Sequence, residues 1–172
     1  MSVLFQDFAN DLAQRAAKQK PDAVLELAAG TGILTRRLRD LLLQDCALTS
    51  TDLNQPMLDV AKAKFLDNER VCFETADATS LPYDTSQFDT VVCQFGVMFF
   101  PDKPASYKEV LRTLKPGGRY IFNVWGALAA NPFAAIAHEV VTALFPEDPP
   151  GFYKVPFGYH DERDIVESLR EA

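Results

Sequence analysis

Apolar residues along the chain follow two periods. Five short apolar or alternating runs, Ala23–Leu27, Ala47–Thr51, Val71–Thr75, Phe88–Gln94 and Arg119–Trp125, have strand length and β-branched or aromatic content. Between them apolar residues recur every three or four positions, as one face of a helix requires. Phe5, Phe8, Leu12 and Ala16 predict an opening helix that stops before Pro21. Leu34, Leu38, Leu41 and Leu42 predict a second helix, with Arg36, Arg37, Arg39 and Asp40 mostly turned away. Asn54 suits the N-cap of a third helix, whose Met57, Val60, Ala61 and Phe65 would face the sheet. Tyr107, Val110, Leu111 and Leu114 stripe a fourth, ended by Pro116-Gly117.

Strands that alternate with helices pair in parallel through right-handed crossovers, so helices cover both faces. The expected fold class is therefore α/β, a doubly wound, Rossmann-like parallel sheet. After Trp125 the pattern changes. Phe133, Ile136, Ala137, Val140, Val141 and Leu144 form an apolar helix face. Pro146, Pro149, Pro150 and Pro156 then interrupt a stretch holding Phe145, Phe152, Tyr153, Phe157 and Tyr159, before a last helix over Asp161–Arg170. The organisation this predicts is one domain over 1–172. Residues 1–125 are its core, 126–160 a cap or insertion at the ligand edge of the sheet, and 161–172 the terminal helix.

The most informative chemistry lies where the first strand runs into Ala28-Ala29-Gly30-Thr31-Gly32 and a helix begins at once. Gly lacks the Cβ that blocks close approach, so such a turn can bring backbone N–H groups at a helix N-terminus to a ligand. Twenty residues past Gly32, at the end of the second strand, Asp52 is placed to take two ribose hydroxyls. The pattern reads as a nucleoside-binding half-sheet. A dinucleotide fingerprint asks for Gly or Ala where Thr35 stands, and gives no role to Glu26.

Glu26-x-Ala28-x-Gly30-x-Gly32 resembles the first motif of class I S-adenosylmethionine-dependent methyltransferases, with Ala28 in place of a glycine. Four further stretches fit that family in order: Thr51–Leu58, Ala76–Pro82, Phe88–Gln94 and Leu114–Gly118. The nearest subgroup it resembles methylates small molecules and is related to the quinone-biosynthesis enzymes. The resemblance implies a strand order of 3-2-1-4-5 and S-adenosylmethionine as cofactor, with S-adenosylhomocysteine as product. It sets Gly30 and Gly32 against the methionine portion with Ala28 beside it, and puts Asp52 on the ribose. Glu26 counts in the same cofactor motif, its alternative being to tie down the turn through backbone amides. Leu53 flanks the adenine, Asp77 and the Ala78 amide meet its edge, and the Gln94 carbonyl receives the methionine amino group. A family sheet has seven strands, whereas this sequence supplies five, so strands 6 and 7 are missing. That leaves strand five as an open apolar edge and predicts a homodimer through it. A shortened chain with its cofactor half intact is expected to bind cofactor more surely than it catalyses.

Composition narrows the partners. The net charge is −7, with 48% hydrophobic and 24% charged residues and no Lys/Arg cluster, which argues against nucleic acid. No apolar run is long enough to span a bilayer, and the N-terminus has no signal-peptide pattern. Cys46, Cys72 and Cys93 lack metal-ligand spacing and read as reduced, packed residues of a cytoplasmic protein with no metal site. Of the two histidines, His138 is the first place to look for a general base. It also lies opposite the apolar face of its helix, where a solvated side chain is expected. His160 falls where it would only assist capping. Asn/Asp-Pro-Pro-Tyr is absent after the fourth strand, where Gln94-Phe95-Gly96-Val97 stands, so nucleobase amino methylation is not supported. An apolar or aromatic acceptor suits Phe95, Met98, Phe99, Trp125 and Phe133. The alternatives are an NAD-binding oxidoreductase and a non-catalytic cofactor-binding remnant.

Overall fold

The computed structural model describes residues 2–148, 150–151 and 154–172; Pro149, Phe152 and Tyr153 of the expected cap lie outside them. In order the elements are α1 (Ser2–Ala17), β1 (Ala23–Leu27), α2 (Ile33–Leu41), β2 (Ala47–Asp52), α3 (Gln55–Lys62) and β3 (Val71–Thr75). There follow β4 (Phe88–Gln94), α4 (Lys103–Thr113), β5 (Leu114–Asn123), α5 (Pro132–Leu144), α6 (Lys154–Phe157) and α7 (Glu162–Arg170). The sheet is wholly parallel in the order β3-β2-β1-β4-β5, as expected. One face buries Val24, Leu48 and Val92 under α1 and α2. The other buries Leu25, Leu27, Val91 and Cys93 under α4 and the loop after β3. Neighbouring residues of β1 thus serve opposite cores, as the two-residue period of a strand dictates.

Five expectations shift. In α1 the core takes Ala9, Leu12, Ala13 and Ala16, while Phe5 and Phe8 pack on Phe95 and Trp125 at the ligand edge of the sheet. In α2, Leu41 is exposed and Arg39 is buried, because its guanidinium donates to the carbonyls of Cys46, Leu42 and Leu43 that close the helix. In α3, Leu58 and Ala61 are buried whereas Met57 and Val60 are exposed. The close approach of Gly32 to Ala61 fixes this rotation: a Cβ on Gly32 would lie 2.8 Å from that of Ala61. Of the three cysteines, Cys72 is exposed rather than packed.

β5 begins at Leu114 rather than Arg119 and ends at Asn123 rather than Trp125. Leu114 pairs with Phe88, Lys115–Gly118 bulge out, and pairing resumes with Arg119 opposite Thr90. Lys115 holds the bulge by its ion pair to Asp89 at 2.9 Å. Beyond Asn123 the chain leaves the ladder so that Trp125 can stack on Phe95, with ring centroids 4.1 Å apart and planes 7° from parallel. Among the described residues no strand pairs with the outer edge of β5. No described helix is long and apolar enough to cross a membrane.

Candidate functional site

The carboxyl ends of β1, β2, β3 and β4 open onto one cleft of about 390 Å³. In doubly wound sheets this edge, beside the point where strand order reverses, is where ligands collect. Each strand contributes residues at or just past its carboxyl end: Ala28 after β1, Asp52 at the end of β2 with Leu53 after it, Ala76–Ala78 after β3, and Phe95 with Gly96 after β4. Met57 of α3 and Phe99, Phe100 and Pro101 complete the wall. Three of these apolar side chains expose large fractions, Leu53 72%, Phe99 57% and Met57 39%. A concave site lined by apolar groups with a few convergent polar ones is the usual form of a small-molecule pocket.

The glycine turn is built from three left-handed residues, Ala28, Gly30 and Gly32, at φ 53°, 55° and 78°. Its amides tie the turn to itself and to the end of β2. Ala29 N–H donates to the Thr51 carbonyl and Gly32 N–H to the Ala29 carbonyl. Gly30 N–H donates to Asp52 Oδ2 at 2.8 Å, and Asn54 N–H to Oδ1 at 2.9 Å. The Gly30 and Asn54 amides thus clamp the Asp52 carboxylate. Each oxygen keeps a second lone pair for a hydroxyl donor.

Below the turn, Glu26 is fully buried. Its Oε2 accepts from Thr35 Oγ1 at 2.6 Å and Ser50 Oγ at 2.7 Å, joining β1, α2 and β2 under the cleft floor. Burial drives its carboxyl up to about 7, against the opposing pull of those two hydroxyls. Thr35, the residue that spoils the dinucleotide fingerprint, is thus the hydrogen-bond partner of Glu26. On the far wall Asp77 Oδ1 accepts from Thr79 N–H and Oγ1, and these bonds hold its carboxyl below the usual carboxylate range.

Ala28 fits in place of a glycine because Gly96 faces it. A Cβ on Gly96 would sit 2.5 Å from Ala28 Cβ and 2.6 Å from Cys93 Sγ. Next to Gly96, Phe95 also holds a left-handed backbone, at φ 52°. Its N–H is shared between Asn123 Oδ1 at 3.0 Å and the Asn123 carbonyl at 3.2 Å. Strained backbone of this kind persists only where its surroundings over-determine it. Here the Trp125, Phe5 and Phe8 rings complete that enclosure.

Of the residues selected from sequence, Ala28, Asp52, Leu53, Asp77 and Ala78 line the cleft. Glu26, Gly30 and Gly32 form the floor that shapes it. Gln94 stands beside Phe95, and its side chain turns to α1, where Nε2 donates to the Phe5 carbonyl at 3.4 Å. His138 is not among the residues lining the cleft. It is half-buried one turn after the buried Ala134, on the inward side of α5, so the expected solvated position is not the one observed. The small Ala134 side chain sets which face of α5 approaches the body, and Phe133, Ile136, Val140 and Leu144 point outward. Met98, considered for acceptor contact, is in the core, and Phe133 is exposed.

Sequence reasoning missed the roles of Met57, Gly96 and Asn123. Met57 fell within a plausible sheet-facing stripe. The run Phe99-Phe100-Pro101, in the loop between β4 and α4, was the available signal for that wall.

Comparison with known proteins agrees with this geometry. A family model described as a methyltransferase domain matches residues 24–118. The Pseudomonas paraeruginosa ubiquinone/menaquinone biosynthesis C-methyltransferase UbiE is 39% identical over 101 residues, 57% of this chain and 40% of that protein. The Ectopseudomonas mendocina UbiE is 37% identical over 125 residues, 71% of this chain and 48% of its own length. The chain spans about two-fifths to half the length of the curated relatives it matches. Among solved structures, the Bacillus subtilis YcgJ protein superposes with a TM-score of 0.68 at 20% identity, over 94% of this chain and 66% of that one.

Proposed function

The chain belongs to the class I S-adenosylmethionine-dependent methyltransferase family, and from that membership we propose that it methylates a small, apolar or aromatic molecule. The observation that carries the reading is the cleft itself. Asp52, Leu53, Asp77 and Ala78 line an otherwise apolar cleft together with Ala28, Gly96 and Phe95.

The residues present fit the cofactor. Asp52, already oriented by Gly30 and Asn54, would receive the ribose hydroxyls. Leu53 would cover the adenine, and Asp77 with the Ala78 amide would meet its edge. The Gln94 carbonyl would take the methionine amino group, while Glu26, Gly30 and Gly32 hold the turn in shape. S-adenosylmethionine, when bound, supplies an electrophilic methyl group on a positively charged sulfur. The protein's part is to fix donor and acceptor in line and to keep water out, tasks that suit the Phe95, Phe99 and Phe100 side chains. Positioning of this kind supplies up to about 7–11 kcal/mol in favourable cases.

Residues 1–125 are then the cofactor half and 126–160 the acceptor-side cap. Phe157 of α6 supports this, being buried and facing Trp125 at 6.0 Å. Tyr159 fastens the segment through its hydroxyl contact with Tyr107 at 3.0 Å and the Lys103 ammonium 4.8 Å from its ring centroid. The net charge of −7 argues against nucleic-acid partners, and the free cysteines suit a reducing, cytoplasmic setting. The open edge of β5 and the outward apolar stripe of α5 support self-association. Labelled methyl transfer to a panel of hydroxylated and non-hydroxylated arenes tests the reading. Label in an aromatic product is expected, and label confined to nucleic acid or protein would refute it.

A further inference from the structure

Lys103 stands in an electrostatically unfavourable place. It is the first residue of α4, directly after the Asp102 N-cap, where the positive end of the helix dipole opposes a cation. It is partly buried, and that burial pushes the lysine below its ordinary value. Among the described residues it forms no ion pair. Instead Nζ donates to the Phe100 carbonyl at 3.0 Å and lies 4.8 Å from the centroid of the Tyr159 ring. The carbonyl and the ring face together offset the hydration that this ammonium gives up.

The two contacts belong to different parts of the molecule. Phe100 is in the cleft wall with Phe99 and Pro101, whereas none of residues 154–160 lines the cleft. The wall has little regular structure of its own. Val97–Phe99 form one 3-10 turn, closed by Phe99 N–H to the Gly96 carbonyl and Phe100 N–H to the Val97 carbonyl. On the cap side, α6 packs against that same turn. The Tyr159 ring is fixed from its far end, where its hydroxyl meets that of Tyr107 in α4 at 3.0 Å. Lys103 is thus the side chain that touches the backbone of the wall and the ring of the cap at once.

We propose that Lys103 is a positioning residue that ties the cofactor cleft to the cap, so that cofactor binding and docking of residues 154–160 stabilise each other. The inference rests on the methyltransferase reading above for the identity of the ligand and adds this linkage to it. With the cap docked, the Tyr159 ring holds the ammonium against the Phe100 carbonyl, and the wall keeps its shape. With the cap undocked, the ammonium loses the ring, takes up water and releases the carbonyl, so the Phe99-Phe100-Pro101 wall loosens. Such a linkage is reciprocal. A ligand that needs the wall in place favours the docked cap by the same factor by which the docked cap favours the ligand.

Amide hydrogen exchange over residues 154–160, with and without S-adenosylhomocysteine, tests this. In the unmodified protein the ligand should slow exchange there by about two- to tenfold, the reach of one cation–ring contact. In Lys103→Met that slowing should be lost, and S-adenosylhomocysteine should bind more weakly by a similar factor. Lys103→Arg, which keeps a cation and a donor, should restore both. A purely structural role would lower thermal stability and leave the ligand-dependent protection in place. Tyr159→Leu removes the ring from the cap side, which guards against a Lys103 variant that fails to fold. It should weaken S-adenosylhomocysteine as Lys103→Met does, with no added loss in the double variant. Ligand binding that leaves exchange at 154–160 unchanged in the unmodified protein would overturn the proposal. So would protection that survives Lys103→Met, or an affinity that Tyr159→Leu does not alter. Failure of the unmodified protein to bind S-adenosylhomocysteine at all would instead strike the methyltransferase reading, and the linkage with it.

Discussion

Glu26 offers a sharp test of how the cleft floor is held. It is fully buried, with two hydroxyl donors on one oxygen and no cation paired with it among the described residues. Burial raises its carboxyl from 4.5 to about 7. Below pH 4.5 the group is protonated whether the chain is folded or not. Between pH 4.5 and 7 the folded state keeps the proton that the unfolded chain releases, so stability falls as pH rises through that window and levels off above it. The shift of 7 − 4.5, or about 2.5 pH units, at 1.36 kcal/mol per unit amounts to about 3 kcal/mol in total. Other carboxyls act in the opposite direction, notably Asp89, Glu109 and Asp77, whose values are lowered. The clean quantity is therefore the stability difference between Glu26→Gln and the unmodified protein, in which those groups cancel. Urea unfolding across pH 4 to 8 should show that difference moving in favour of the glutamine variant by about 3 kcal/mol. Two curves that stay parallel would refute the buried, proton-holding role of Glu26. Curves that separate in the opposite sense would mean it is ionised and paired.

Other substitutions probe the site from different sides. Asp52→Ala should weaken S-adenosylhomocysteine binding by about 1.5–3 kcal/mol, the range for hydrogen bonds to a charged group; an unchanged dissociation constant in a folded variant would remove Asp52 from the ribose site. Gly96→Ala should destabilise the fold by about 1–3 kcal/mol through overpacking against Ala28 and Cys93. Ala28→Gly in the same chain should recover part of that loss, and strict additivity of the two changes in thermal melts would show that they do not touch. Gly32→Ala forces a left-handed backbone on alanine and drives its Cβ into Ala61, so it should cost about 2 kcal/mol or more, read by denaturation. No gel shift with DNA or tRNA is expected at physiological salt, given a net charge of −7.

The fold was legible because its signals are local. Strand boundaries at Ala23–Leu27, Val71–Thr75 and Phe88–Gln94 came from apolar runs bounded by Gly, Pro and polar residues, and the structure reproduces them. The strand order came with the resemblance. Less legible was anything set by contacts between elements. Met57 satisfies the helical stripe as well as Leu58 does, and only the closeness of Gly32 to Ala61 decides which one faces the sheet. Arg39 reads as a surface charge until the carbonyls at the end of α2 are seen to converge on it. The apolar stripe of α5 predicts an outward His138, yet the body meets the Ala134 side. The Gly96–Ala28 exchange joins residues 68 positions apart, and a single sequence gives no hint of their contact.

The central claim is that the cleft between Asp52 and Phe95 is built for S-adenosylmethionine. Titration calorimetry of the unmodified chain with S-adenosylhomocysteine, and separately with NADH, tests it most directly. The account predicts saturable one-to-one binding of S-adenosylhomocysteine that Asp52→Ala weakens, and no heat with NADH. Saturable NADH binding with none for S-adenosylhomocysteine would contradict it.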